Sequence, residues 1–286
     1  MNCAENKTRE MLEWVLPDLM KTDFRDTSTK VLFSFYSLLL CVFIYVSSAC
    51  LSSLIEKYRQ LILREKVFWN LAIVRAFYGI FFTVIGAWGV FVAKHLDCDI
   101  VFGRSQTSHF AVTMTTGFFV FESFALALFD VIFGSFNFLL HLHHCICLIY
   151  SYLVLMSDVS HPIFVKGLLL ESSTPLSAAS WMLLKCRMER SLIWKINQFV
   201  LVHIFHCRNI VEIYIIYIIY QNWPYLWSSM PPAILIIICI ITPAIACVLT
   251  PFWTYKKTVQ MVTPYDFNFE KIIPKPDIAE RNNKRE

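Results

Sequence analysis

The chain has 286 residues, 57% of them hydrophobic and only 16% charged, with a formal net charge of +4. Soluble domains are about 45–50% apolar and about 25% charged, so this composition excludes a water-soluble globular enzyme and points to a helical membrane protein. Seven glycines leave little material for a glycine-rich phosphate loop.

Residues 1–30 are polar and acidic, lack the apolar stretch of a cleavable signal, and read as a lumenal tail. A sequon, Asn6-Lys7-Thr8, lies within it. A span needs about 20 mostly apolar residues, and seven stretches qualify: 31–54, 68–92, 110–133, 138–156, 163–184, 192–220 and 233–255. They predict an all-α polytopic bundle of about seven transmembrane helices over 31–255. The third and fourth stretches are separated only by a short turn around Gly134 and Asn137, a tight helical hairpin. The remainder, 256–286, reads as a basic cytosolic tail. Outside the stretches, Lys and Arg number fifteen on the side of the tail and seven on the opposite side. The positive-inside bias then places the N-terminus in the lumen and the C-terminus in the cytosol. Six cysteines (41, 50, 145, 147, 239 and 247) lie singly in apolar runs and read as small hydrophobes. Cys3 and Cys98 fall on the same predicted side, where pairing is open to them.

Polar groups in hydrocarbon are costly unless they face a protein interior or a wet cavity, so those inside the stretches are the candidate site. His141-Leu142-His143-His144 is the densest cluster. Adjacent histidines suit acyl chemistry, one acting as base or nucleophile and the other holding a substrate oxygen; the plainer alternative is a pair bridging helices by hydrogen bonds. Glu171-Ser172-Ser173-Thr174-Pro175 puts a carboxylate, three hydroxyls and a kinking proline in mid-span. It reads either as a kinked packing helix or as a pocket wall in which Glu171 orients a histidine. His203 and His206 share one helix face at i,i+3, while Arg208 and Glu212 pair at i,i+4 on roughly the other side. Arg208 is either part of a packed ion pair or the holder of an anionic headgroup. The expected assignment is His143 and His144 as catalytic residues, with Glu171, His203, His206 and Arg208 binding substrate. The spacing of the histidines matches neither the di-iron boxes of membrane desaturases nor a zinc signature, so no metal is assigned.

Four segments carry a resemblance: Arg64-Glu65-Lys66-Val67-Phe68-Trp69, Ser180-Trp181-Met182-Leu183-Leu184-Lys185, His203-Ile204-Phe205-His206-Cys207-Arg208 and Pro251-Phe252-Trp253-Thr254-Tyr255-Lys256-Lys257-Thr258. Together with Asp266-Phe267-Asn268-Phe269 they closely resemble the TLC-domain family, which includes ceramide synthases and the translocating-chain-associating membrane proteins. The resemblance runs from about residue 52 to residue 269. It implies an endoplasmic reticulum protein that cycles through the ER–Golgi intermediate compartment and supports lipid metabolism and lysosome biogenesis. Two activities follow from it as alternatives. One is acyl transfer to glycerophosphoglycerol, with an acyl donor lipid or acyl-CoA as co-substrate and no tightly bound cofactor. The other is an ER-to-Golgi cargo receptor that carries newly made lysosomal enzymes without catalysis. The implied partners are membrane lipids, lysosomal enzymes, vesicle coat proteins and a second copy of the chain; none is a nucleic acid. Ceramide synthases carry His-Asp-x-x-Asp where this chain has Glu171-Ser172-Ser173-Thr174-Pro175, which argues against a sphingoid-base acceptor; the histidine pair remains. The end of the chain is a degenerate dilysine retrieval signal, with Lys284 third from the end, Arg285 beside it and Asn282-Asn283 before it.

Overall fold

The computed structural model describes residues 10–266, 269, 271 and 272. Cys3, the Asn6 sequon, Lys284 and Arg285 lie outside the described residues. The helices in chain order are α1 (Met11–Val15), α2 (Thr27–Ser52), α3 (Glu56–Arg59), α4 (Leu63–Phe91), α5 (Gln106–Phe133) and α6 (Phe138–Ser157), followed by α7 (His161–Gly167), α8 (Ser173–Lys185), α9 (Leu192–Gln221), α10 (Trp223–Ser229), α11 (Pro232–Ala244) and α12 (Thr250–Val262). Among the described residues, six elements are long and apolar enough to cross a membrane: α2, α4, α5, α6, α9 and the continuous run Pro232–Val262. The fold is thus the expected helical membrane bundle. A two-residue antiparallel strand pair, Tyr265–Asp266 with Lys271–Ile272, follows the last helix.

The caps explain where the helices begin and end. Asp26 accepts the Thr29 amide at 2.9 Å and starts α2, and Ser105 and Ser108 close a capping box on α5. Gly134 takes a left-handed conformation, φ +60°, and ends α5. Asn137 then accepts the Leu140 amide at 3.2 Å and begins α6, which builds the expected hairpin. The N-terminal segment is more ordered than a polar tail. Leu12 and Phe24 bury against Phe110, and Glu10 accepts the Thr107 amide at 3.3 Å and lies 3.6 Å from His95. Burial alone would raise the Glu10 carboxyl, but hydrogen bonds from His95, Thr107 and Ser105 outweigh it and hold it below its ordinary range.

The fifth stretch departs from the sequence reading. It is not one helix but α7, a 3-10 segment (Leu168–Ser172) and α8 in succession. Pro175 has no amide to give the carbonyl four residues back, and its ring crowds that turn, so the chain tightens to 3-10 geometry just before it. The composite runs antiparallel to α4, from the Val165 contact with Gly89 through Leu169 at Gly86 and Pro175 at Gly79 to Lys185 at Glu65. Glycines permit this approach. A Cβ on Gly86 would run into the Leu169 backbone amide, and one on Gly117 of α5 into the Ser34 carbonyl of α2. The last span also carries a break, a π-helical turn over Ile245–Leu249, just before Pro251 withholds its own amide.

An aromatic core fills the space between α2, α4, α5 and α7. Tyr78 stacks on Phe118 with ring centroids 4.7 Å apart, and Phe82 meets Phe118 edge-on at 5.4 Å. The Tyr78 hydroxyl is satisfied by Ser37 at 2.8 Å. The outer faces of α2 and α9 expose large apolar side chains such as Phe35, Phe43, Ile196 and Ile213, as a surface facing lipid does.

Candidate functional site: a polar belt between two chambers

Two chambers lie inside the bundle. The first, about 130 Å³, has mostly apolar walls that include Phe164, Leu168, Ile215, Ile238 and Ile241. The second, about 220 Å³, adds Arg75, His144, Ser173, Ser177 and Lys257 to its walls. Phe119, His143, Glu171, Arg208 and Ile245 border both. The chambers therefore meet at a belt of one imidazole, one carboxylate and one guanidinium.

Each belt residue is delivered by a feature of the local fold. His143 sits in the second turn of α6, after the Asn137 cap, and its ring lies 3.8–3.9 Å from the Cys147 Sγ one turn on. Glu171 occupies the 3-10 segment forced by Pro175, and its carboxylate accepts the Thr174 hydroxyl at 2.7 Å. Arg208 projects from α9 and donates to the Ser173 hydroxyl at 2.8 Å. Its Nε lies 4.0 Å from Glu212 and has no hydrogen-bond partner. Glu212 is fully buried and is held instead by the Thr250 hydroxyl at 2.6 Å. The Arg208–Glu212 pair expected from i,i+4 spacing is therefore loose, and the guanidinium retains donor capacity.

His144 turns away from His143 toward a second ion pair. Arg75 Nε donates to Glu122 at 2.7 Å, and His144 Nε2 lies 4.0 Å from the same carboxylate oxygen. The two histidine rings are 5.3 Å apart, and His144 Nδ1 has no partner. His141 is committed elsewhere, at 2.5 Å from Asp130.

Four of the six residues expected from sequence come together: His143, His144, Glu171 and Arg208. His203 and His206 do not. Both are exposed on the outer face of α9, and neither borders a chamber. Each bonds through Nδ1 to the carbonyl four residues back, His203 to Phe199 at 2.7 Å and His206 to Val202 at 2.8 Å. This self-satisfaction lets a histidine face outward. Arg75 and Glu122 were not singled out from sequence. They too are charges inside apolar stretches, and the rule that marked Glu171 and Arg208 applies to them equally.

A family model described as TLC domain matches residues 68–258, which covers all of the chamber-lining residues. The chain belongs to the TLC-domain family. Among curated relatives, Protein CLN8 of Canis lupus familiaris is 37% identical over 229 residues, 78% of each chain. Protein CLN8 of Rattus norvegicus is 37% identical over 237 residues, 81% of each chain. Protein CLN8 of Homo sapiens is 37% identical over 219 residues, 76% of this chain and 77% of its own. No solved structure matches the chain. The TLC domain here is a multi-pass helical membrane domain whose interior, as well as its surface, carries charge.

Proposed function

We propose that this TLC-domain protein resides in the endoplasmic reticulum and transfers an acyl group to a glycerophospholipid of the glycerophosphoglycerol type, in support of lysosome biogenesis. The observation that carries the reading is the belt: His143, Glu171 and Arg208 border a largely apolar chamber on one side and a polar one on the other. An acyl chain fits the first and a headgroup the second. Arg208, with donors to spare, holds the acceptor's phosphate. His143 removes a proton from the acceptor hydroxyl, whose oxygen attacks the acyl carbonyl. The carbonyl–donor bond then breaks, and the departing thiolate or alkoxide takes the proton back from His143. His144, beside the Arg75–Glu122 pair, lies on the headgroup side and holds the substrate oxygen. The donor is an acyl-CoA or an acyl lipid, and the protein supplies no other cofactor.

The test is an acyl-transfer assay on the purified protein with labelled donor and glycerophosphoglycerol. Labelled product should form with the wild type and vanish in a folded His143→Ala/His144→Ala variant. A double variant with wild-type turnover would refute the assignment.

One observation favours the cargo-receptor alternative. Residues 10–26 and 94–105 fold into a cap on one end of the bundle, with Gln106 donating to the Thr22 carbonyl at 3.3 Å and Leu12 and Phe24 buried beneath. Cys98 within the cap is disulfide-bonded, as suits an oxidising lumen. The fifteen-to-seven distribution of Lys and Arg supports a lumenal position for the same end. Such a cap offers a surface to lysosomal enzymes, with vesicle coat proteins acting on the opposite side. Export of those enzymes that persists in the histidine double variant would separate this role from acyl transfer.

A further inference from the structure

A second polar cluster lies away from the belt, at the capped end of the bundle where α6 turns into α7. His109 from the first turn of α5, Asp158 from the end of α6 and His161 from the start of α7 converge there, with every candidate ligand atom within 4.8 Å of the others. His109 Nδ1 is 3.6 Å and His161 Nε2 4.0 Å from Asp158 Oδ1. The imidazoles are only 4% and 0% exposed. Yet neither of these two nitrogens has a hydrogen-bond partner. Two buried ring nitrogens thus face one carboxylate oxygen and are themselves left unsatisfied by the surrounding protein.

The turn that makes the cluster is held in an uncommon conformation. Asp158 and Ser160 both have positive φ, 54° and 68°. The turn is pinned by the Ser160 amide on the Val101 carbonyl at 2.8 Å and by the Ser160 hydroxyl against Tyr150 at 3.0 Å. His161 Nδ1 meets the Ser108 hydroxyl at 3.1 Å. That contact fixes the ring and leaves Nε2 facing the carboxylate, as an outer partner does for a metal-bound histidine.

We propose that His109, Asp158 and His161 bind a single divalent transition-metal ion of the zinc class. Two imidazoles and one carboxylate suit such an ion and not a hard, oxygen-seeking one. Metal–ligand bonds of about 2.0–2.1 Å place tetrahedral ligand atoms about 3.3 Å apart, so donors that now lie within 4.8 Å of one another need to close by up to about 1.5 Å. Lys30 competes with the ion. Its ammonium lies 2.7 Å from Asp158 Oδ1, and Arg104 lies 4.0 Å from Oδ2. In the metal-free protein Lys30 neutralises the carboxylate, and the ion displaces it. Bound metal then ties the starts of α5 and α7 to the end of α6.

The test is titration of the purified full-length protein, after chelator treatment, with Co²⁺ and then Zn²⁺. One Co²⁺ per chain with tetrahedral visible absorption, displaced by Zn²⁺, is the expected result. His109→Gln and Asp158→Asn should each weaken binding at least tenfold. Lys30→Met keeps all three ligands and removes the competing cation, so it should bind about tenfold tighter; this variant tests the site even if a ligand variant fails to fold. No tetrahedral spectrum in the wild type, unchanged affinity in the ligand variants, or no gain in Lys30→Met would overturn the proposal.

Discussion

Two histidine motifs lie inside apolar helices and look equivalent in sequence, yet the bundle uses them differently. His143-His144 of α6 faces inward, where His143 joins Glu171 and Arg208 at the meeting of two chambers. His203 and His206 of α9 face outward and close hydrogen bonds onto their own helix. The cost of a polar group in a membrane is met in two ways, by a shared interior cavity or by the helix's own carbonyls. Only the first gathers polar groups around a cavity. On α9 itself, Arg208 lies on the inward side while the two histidines lie on the outward one.

The largest effect should come from the inward pair. His143→Ala is expected to lower acyl-transfer turnover about 10²–10⁴-fold, the usual cost of removing a positioned acid–base group, with the thermal midpoint of the detergent-solubilised protein nearly unchanged. Loss confined to expression level, with normal turnover per folded molecule, would return His143 to a packing role.

Arg208→Lys sharpens the same side of the comparison. Lysine keeps the charge but loses the planar fork, and a charge-assisted hydrogen bond is worth about 1.5–3 kcal/mol. KM for the phosphate-bearing acceptor should rise about tenfold or more while kcat changes little. The reverse pattern would place Arg208 at the reacting atoms instead of the headgroup.

Gly86→Ala tests the route by which Glu171 reaches the belt. The added methyl meets the Leu169 backbone, two residues from Glu171, so overpacking should destabilise the protein by about 1–3 kcal/mol. Activity should fall alongside in assays at constant folded fraction.

The smallest effect belongs to the outward pair. His203→Ala and His206→Ala should each leave turnover within about twofold and stability within about 0.5 kcal/mol, as exposed positions usually do. A loss comparable to that of His143→Ala would erase the distinction between the two motifs.

Much of this arrangement is legible in the sequence, because hydrocarbon imposes simple rules. Apolar length locates the helices, and each of α2, α4 and α5 extends past its expected start by four or five residues. The extensions contain polar or charged residues such as Thr27, Arg64 and Gln106, which hydropathy scores as loop but the helix carries beyond the apolar core. The break in the fifth stretch is announced by Pro175, although the proline alone does not reveal that the 3-10 turn would aim Glu171 inward; the glycines of α4 settle that. Polarity marks His143, Glu171 and Arg208, which border the chambers, and equally His203 and His206, which do not, since periodicity on one helix cannot say which side faces protein. The His109–Asp158–His161 cluster is the least legible. Its members come from three elements, each residue at a helix end where polar groups are ordinary, and only packing unites them.

On the proposed function, the chambers hold an acyl lipid against the belt. Lipid mass spectrometry of the gently purified wild-type protein tests it most directly, compared with Ile241→Trp, which fills the apolar chamber, and with His203→Ala. An acyl-bearing lipid at about one per chain should be retained by the wild type and His203→Ala and be strongly depleted in Ile241→Trp. No enriched lipid in the wild type, or equal retention in Ile241→Trp, would contradict an acyl-binding interior.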